Sequence, residues 1–183
     1  MRSQIVVAKS SIFDQRVDAI VNPANSRMMH TGGLAAVIAR AAGPALVLQS
    51  GLRAGTSEMV AATPDEPIPV GSAITTTAGK LPFKGVIHAV GPRYDGDQER
   101  CADKLALAHY SAIREASLAG WHSIAFPAVS CGIFGYPVEL AAPVAVKSAR
   151  DAARMYGVKR VVFCLTDDEH FRAFSRAARW WRR

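Results

Sequence analysis

Short β-branched apolar runs alternate along this chain with segments whose apolar residues recur at helical spacing. Gln4–Ala8 and residues 19–21 read as buried strands, with Ser10, Ser11 and residues 14–16 as turn material between them. A polar stretch, residues 22–31, leads into Gly33–Ala42, where Leu34, Val37, Ile38 and Ala41 fall at helical spacing before Gly43-Pro44 interrupts. Strands are expected again at 73–77, Gly85–Val90, 123–129 and 161–165. A helix carried by Leu105, Ala108, Ala112, Ile113 and Ala116 closes near Gly120, and Val138–Tyr156 forms another, stopped by Gly157. An interior proline costs about 3 kcal/mol, so that helix is expected to start near Leu140, with Pro143 in its first turn. Phe171, Phe174, Ala178 and Trp181 mark one face of a last helix. Residues 51–70, rich in proline from Pro64 onward, read as a surface excursion. Several strands are apolar on both faces, which requires cover on both sides. The expected fold class is therefore α/β, a three-layer α/β/α sandwich with a mixed, largely parallel central sheet.

The 183 residues are half hydrophobic and one-fifth charged, enough for one domain, residues 1–183, to build a core without disulfides. No apolar run reaches the roughly 18 residues that span a bilayer, and no signal-peptide core follows Met1, so a cytoplasmic location is expected. Cys101, Cys131 and Cys164 lack CxxC or Cys/His ligand spacing and read as reduced thiols, with no metal site. The formal net charge is +7, but Arg172, Arg176, Arg179, Arg182 and Arg183 supply five of those charges. That balance permits an anionic ligand. It lacks the broad basic face on which nucleic-acid binding usually depends.

Two glycine-bearing loops follow strands and precede helices, so both belong at the carboxyl edge of the sheet, where such folds bind ligands. The first holds Asn22-Pro23-Ala24-Asn25 and then His30-Thr31-Gly32-Gly33 at a helix start, where backbone N–H groups favour an anion. A Gly-Gly pair before a helix is equally the mark of an ordinary turn. The second, Ser130-Cys131-Gly132-Ile133-Phe134-Gly135, can present several N–H donors in a nest suited to a pyrophosphate. Neither carries a Walker lysine or a GxGxxG, which disfavours P-loop hydrolysis and a dinucleotide fingerprint. His88, between apolar residues of a strand, reads as a hydrogen-bonded core histidine. His30, in the glycine loop, fits a structural or a catalytic part. Phe171 and Phe174 read as core, and Asp167-Asp168-Glu169 as an acidic helix start.

The residues 17–25, His30-Thr31-Gly32-Gly33-Leu34-Ala35, residues 40–44, 71–73, 78–82 and 86–92, and the block 123–137 together resemble the macrodomain family, whose members bind ADP-ribose. The His-x-Gly-Gly-Leu-Ala form is most similar to macrodomains of antiviral ADP-ribosyltransferases and viral polyproteins. The resemblance implies that Asn25 hydrogen-bonds the distal ribose and that Gly32 and Gly33 line it. It implies that Ser130, Cys131, Gly132, Ile133 and Gly135 cradle the diphosphate, that Phe134 packs over the sugar end, and that Ser11 and Ile12 meet the adenine, which Phe171 could border. Two positions depart from the family. Ser11 stands where an aspartate reads the adenine amino group, and Ala35 stands where one hydrolase branch carries an aspartate. The function implied is removal of ADP-ribose from mono-ADP-ribosylated protein or nucleic-acid targets, with water attack at the distal ribose oriented by Asn25 and assisted by the substrate's own diphosphate. His30 is the candidate base. No cofactor or metal is expected, and the chain is expected to act as a monomer. A non-catalytic reader of ADP-ribosylated proteins is the alternative, which the missing aspartate favours.

Overall fold

The computed structural model describes residues 3–55 and 65–180. Six strands, β1 (Gln4–Ala8), β2 (Ala19–Ala24), β3 (Ala73–Thr76), β4 (Gly85–Val90), β5 (Ser123–Phe126) and β6 (Arg160–Cys164), form one sheet in the order β1-β6-β5-β2-β4-β3. Every neighbouring pair is parallel except β3 with β4, at the edge. The helices are α1 (Gly33–Ala42), α2 (Pro44–Gly55), α3 (Gln98–Leu118), α4 (Val138–Tyr156) and α5 (Asp168–Trp180). A single 3-10 turn, Ile12–Asp14, follows β1.

Strand alternation divides the core in two. Ala19, Val21, Ile87, Ile124, Phe126, Val161 and Phe163 point to the face covered by α3, α4 and α5. Their intervening neighbours Ile20, Val86, Ala125 and Val162 point to the other face, against Ile38, Ala39 and Ala42 of α1 and Leu46 of α2. Both faces of the central strands are thus buried, as parallel sheets require. The three-layer reading of the sequence holds. Phe126, Phe163 and Phe174 stack in succession, with ring centroids 5.7 and 5.0 Å apart, which ties α5 to the sheet.

Three expectations need correction. Residues 51–55 continue α2, with Pro44 as its first residue, where a missing N–H is harmless. The supposed excursion also enters the core, since Ile68 is fully buried and its N–H donates to the Ser26 carbonyl at 3.2 Å. The helix containing Pro143 begins at Val138, so Pro143 is its sixth residue. Burial of Val138, Ala141 and Ala142 draws the start upstream, and the N–H groups of Leu140 and Ala141 both donate to the Pro137 carbonyl at 3.0 Å. Trp181 lies outside the described residues, as do Thr63, Pro64, Arg182 and Arg183.

Asp18 pins the amino ends of three strands. One carboxylate oxygen accepts from the N–H groups of His122 and Ser123 at 2.9 and 3.0 Å and from Ser123 Oγ at 2.9 Å; the other pairs with Lys84 Nζ at 2.7 Å. Burial opposes its charge, but these donors outweigh burial and hold the carboxyl at about 2, below the ordinary 3.8. Asp18→Ala removes a charged acceptor from several donors and is expected to cost about 2 kcal/mol in urea unfolding. The unfolded chain takes up this proton near 3.8 and the folded chain only near 2. The Asp18 contribution is therefore complete above 3.8 and lost as the pH falls toward 2, and the variant should narrow its deficit over that window.

Candidate functional site

A cleft of about 830 Å³ opens beyond the carboxyl ends of the strands. Because β2 and β5 are neighbours in the sheet, the loops that follow them converge there. The Ile133 side chain crosses from one loop to the other, its Cδ1 lying 3.1 Å from the position a β-carbon on Gly32 would take. Gly33 has φ +56°, a left-handed conformation that allows the chain to turn into α1, and Ala35 lines the cleft from the first turn of that helix. In the second loop, the N–H groups of Cys131, Gly135 and Tyr136 donate to the carbonyls of Ala128, Gly132 and Ser130. Those of Gly132, Ile133 and Phe134 have no backbone acceptor among the described residues. Ser130 sits at φ +68° although it is not glycine, a conformation that marks strain stored at a site. A β-carbon on Gly91 would fall 2.2 Å from Ser130 Oγ, so only glycine lets the end of β4 approach this loop.

Ser11, Ile12, Asn25, Gly32, Gly33, Ser130, Gly132, Ile133 and Phe134 all line the cleft. Ser11 Oγ accepts from the Phe13 N–H at 3.2 Å and keeps its O–H as a donor. Asn25 Oδ1 accepts from the N–H groups of Arg27 and Met29, both at 3.1 Å, and its Nδ2 donates to the Met29 carbonyl at 2.6 Å. The side chain therefore folds its own loop and keeps one amide N–H for a ligand.

His30, Cys131 and Gly135 are not brought to the cleft. Cys131 packs against the core, and burial pushes its thiol up to about 12, so it supplies no thiolate near neutrality. Gly135, at φ +68°, turns the loop from behind. His30, expected as a base, has both ring nitrogens engaged on the core side. Its Nε2 meets Ser50 Oγ at 2.9 Å and its Nδ1 meets Asn22 Nδ2 at 3.4 Å. The same Asn22 Nδ2 reaches His88 Nδ1 at 2.9 Å, and His88 Nε2 meets Thr76 Oγ1 at 2.7 Å. An amide nitrogen only donates, so both Nδ1 atoms accept and both histidines carry their proton on Nε2. Ser50 and Thr76 then pass their own hydrogens to the carbonyls of Val47 and Thr77. His30 is thus a strut beneath the glycine loop. Burial holds it below its ordinary value, and burial with the neighbouring His30 holds His88 at about 3.

Several further residues line the cleft: the sequence marks Asp167 only as part of an acidic helix start and gives no signal for Arg27 or Arg93. Asp167 caps α5 through the His170 N–H at 2.9 Å and pairs with the His170 ring. Arg27 reaches Asp65 at 3.0 Å across the cleft mouth. Arg93 arrives from the turn after β4, its guanidinium 5.4 Å from the centre of the Phe134 ring. Phe171, on α5, packs against the core and does not line the cleft.

The Macro domain family model matches residues 21–145. An O-acetyl-ADP-ribose deacetylase of Salmonella gallinarum is 38% identical over 177 residues, covering 96% of this chain and 94% of that protein. A macro domain-containing protein of Caldanaerobacter subterraneus subsp. tengcongensis is 36% identical, covering 97% of each. The Oceanobacillus iheyensis macrodomain with ADP superposes with a TM-score of 0.84 at 26% identity, over 97% of this chain and 90% of that one. A Trypanosoma brucei macrodomain in complex with ADP-ribose superposes with a TM-score of 0.78 at 26% identity, over 94% and 68%.

The buried histidines impose a pH dependence. His88 and His109 stay neutral in the folded state down to about 3 and about 4, whereas the unfolded chain protonates them near 6.5. Below 6.5 the unfolded state binds more protons, so stability is complete above that value and declines as the pH falls, by up to about 1.4 kcal/mol per pH unit for each group. Urea midpoints measured at pH 7.5 and 5.0 should fall accordingly; an unchanged midpoint would contradict the buried neutral assignment.

Proposed function

This chain belongs to the Macro domain family, and on that premise we propose that it binds ADP-ribose in the cleft and hydrolyses derivatives substituted on the distal ribose. The observation that carries this reading is the convergence of two sets of backbone N–H groups, from the start of α1 and from Gly132 to Phe134, on one cleft. A helix N-terminus facing a nest of amides is a site for a diphosphate. Ile12, Leu165 and Cys164 give the cleft an apolar end suited to a base, and Asn25 stands among the residues of the first loop, on the sugar side. Similarity over nearly the whole chain to proteins named O-acetyl-ADP-ribose deacetylases supports the substrate class, an ester on the distal ribose. Mono-ADP-ribosylated proteins present the same sugar through an ester to an acidic side chain and are the proposed macromolecular targets. We take residues 1–183 as one macrodomain.

Chemically, the chain contributes binding and orientation more than proton transfer. Ala35 offers no carboxylate, and the Asp167 carboxylate is paired with His170. The His30 ring is engaged with Ser50 and Asn22, so we assign it a supporting part under the loop and not that of a base. Water is the co-substrate. Its proton passes to the ligand's diphosphate, which the two loops would hold beside the distal ribose, while the free amide N–H of Asn25 fixes a ribose hydroxyl. Holding the reacting groups in register is itself worth large factors, and a misplacement of 1 Å can cost about 10²-fold. A reader that retains ADP-ribosylated proteins without turnover is the second reading, favoured by Ala35.

Incubation of the protein with O-acetyl-ADP-ribose and with a mono-ADP-ribosylated protein, following released ADP-ribose, separates the two. Firm ADP-ribose binding with no release from either substrate would establish the reader. Asn25→Ala is expected to lower release by about 10²-fold. Gly132 has no positive φ, and a β-carbon there meets nothing within 4 Å, so Gly132→Val should fold normally. Its side chain would stand in the space for the diphosphate, and calorimetry should show ADP-ribose affinity reduced at least tenfold with an unchanged melting temperature. Unaltered affinity would remove the second loop from the site.

A further inference from the structure

Arg27 and Arg93 both line the cleft, but their charges are not equally available. Arg27 is neutralised by Asp65 at 3.0 Å. Arg93 has no carboxylate partner among the described residues, and its guanidinium lies over the Phe134 ring, which leaves its charge unneutralised. The backbone that carries it is tied down on several sides. The Tyr94 N–H donates to the Phe134 carbonyl at 2.9 Å, the Tyr94 and Tyr136 rings lie 4.9 Å apart, and the Arg93 carbonyl accepts from the Cys101 thiol. Upstream, Gly91 packs against Ser130 with no room for a side chain. Phe134 in turn adjoins Ile133, which touches the Gly32 position at the start of α1. The backbone that carries the guanidinium is therefore held, and the exposed guanidinium itself rests on Phe134 of the second loop, in a cleft that Asn25, Gly32 and Ala35 also line.

We propose that Arg93 stabilises the negative charge that develops on the acyl carbonyl oxygen of an ester carried by the distal ribose, an inference that rests on the hydrolase reading above. Water adds to the acyl carbon, forming one C–O bond while the carbonyl π pair moves onto oxygen. The water's proton passes to the ligand's diphosphate, and the new oxyanion faces the guanidinium. The carbonyl then re-forms, the bond between acyl carbon and ribose oxygen breaks, and that oxygen takes the proton back from the diphosphate. The products are a carboxylic acid, which releases its proton to solvent, and the ribose hydroxyl. In such a site a cation resting on Phe134 compensates for the carboxylate missing at Ala35, because it lowers the barrier on the electrophile rather than on the water. Arginine suits this place better than lysine, since its planar group stacks on Phe134 while its edge donates to oxygen.

The test compares wild type with Arg93→Gln and Arg93→Lys, using O-acetyl-ADP-ribose for kcat and KM and calorimetry with ADP-ribose for affinity. Arg93→Gln is expected to lower kcat by about 10²-fold while the Kd for ADP-ribose stays within about threefold, and Arg93→Lys should recover part of kcat. Phe134→Leu, which removes the ring beneath the guanidinium, should lower kcat non-additively with Arg93→Gln. An unchanged kcat in Arg93→Gln overturns the proposal and leaves the hydrolase reading standing. So does a loss of ADP-ribose affinity as large as the loss of kcat/KM with kcat unchanged, since that outcome makes Arg93 a ground-state anchor for the diphosphate. A wild type that binds ADP-ribose but turns over no ester overturns both together.

Discussion

Asn22 is a fully buried polar residue in a strand otherwise made for an apolar core, and its amide nitrogen joins two histidines that would otherwise have no common partner. One, His88, belongs to the adjacent strand; the other, His30, belongs to the glycine loop. Through Ser50 and Thr76 the network extends into α2 and β3. The Asn22 Oδ1 is buried with no partner among the described residues, but its nitrogen and both rings are paired, and because unpaired buried polar groups are costly this arrangement specifies one position for the loop relative to the sheet. The backbone donors at the start of α1 depend on that position. A glycine-rich loop alone has too many accessible conformations to hold a ligand at small entropic cost.

The second loop is held by shape. Gly91 admits Ser130, Ile133 reaches the Gly32 position, and the Ser130 backbone takes a left-handed conformation ahead of Gly132, Ile133 and Phe134, whose N–H groups have no backbone acceptor among the described residues. Strain of this kind persists only where the surroundings over-determine it. Here the surroundings are the end of β4 on one side and the core packing of Tyr136 and Val138 on the other. The two loops thus use different devices, a hydrogen-bonded strut under one and close backbone packing under the other, to point donors into the same space.

The site that results is rich in fixed dipoles, and among the titratable groups that line it Asp65 is paired with Arg27 and Asp167 with His170. Ala35, the occupied ring of His30 and the high thiol value of Cys131 all point the same way. An anionic, hydroxyl-bearing ligand can be held and oriented here by backbone donors. Arg93 and its aromatic support add a positive group, a feature distinct from the backbone donors because it carries a full charge rather than a dipole.

The order of strands and helices, α2 excepted, was legible in the chain, because the periodicities of 2 and 3.6 are local and the β-branched runs at 4–8, 85–90 and 160–164 are bounded by turn residues. The two glycine loops were legible for the same reason. So was the resemblance, since it lies in contiguous motifs, and nine of the residues it named line the cleft. The start of α4 was not, because burial of Val138 by tertiary packing outweighed the local preference to put Pro143 in the first turn. Nor was the direction of His30. A loop histidine looks the same in sequence whether it faces a ligand or a buried asparagine 8 residues away. Arg93 depends on a contact with Phe134, some forty positions along the chain, made only when the turn after β4 meets the loop after β5. Sequence determines which segments are strands, helices and donor-bearing loops. Which side chains those loops turn inward, and which charge stands over them, is decided by non-local packing.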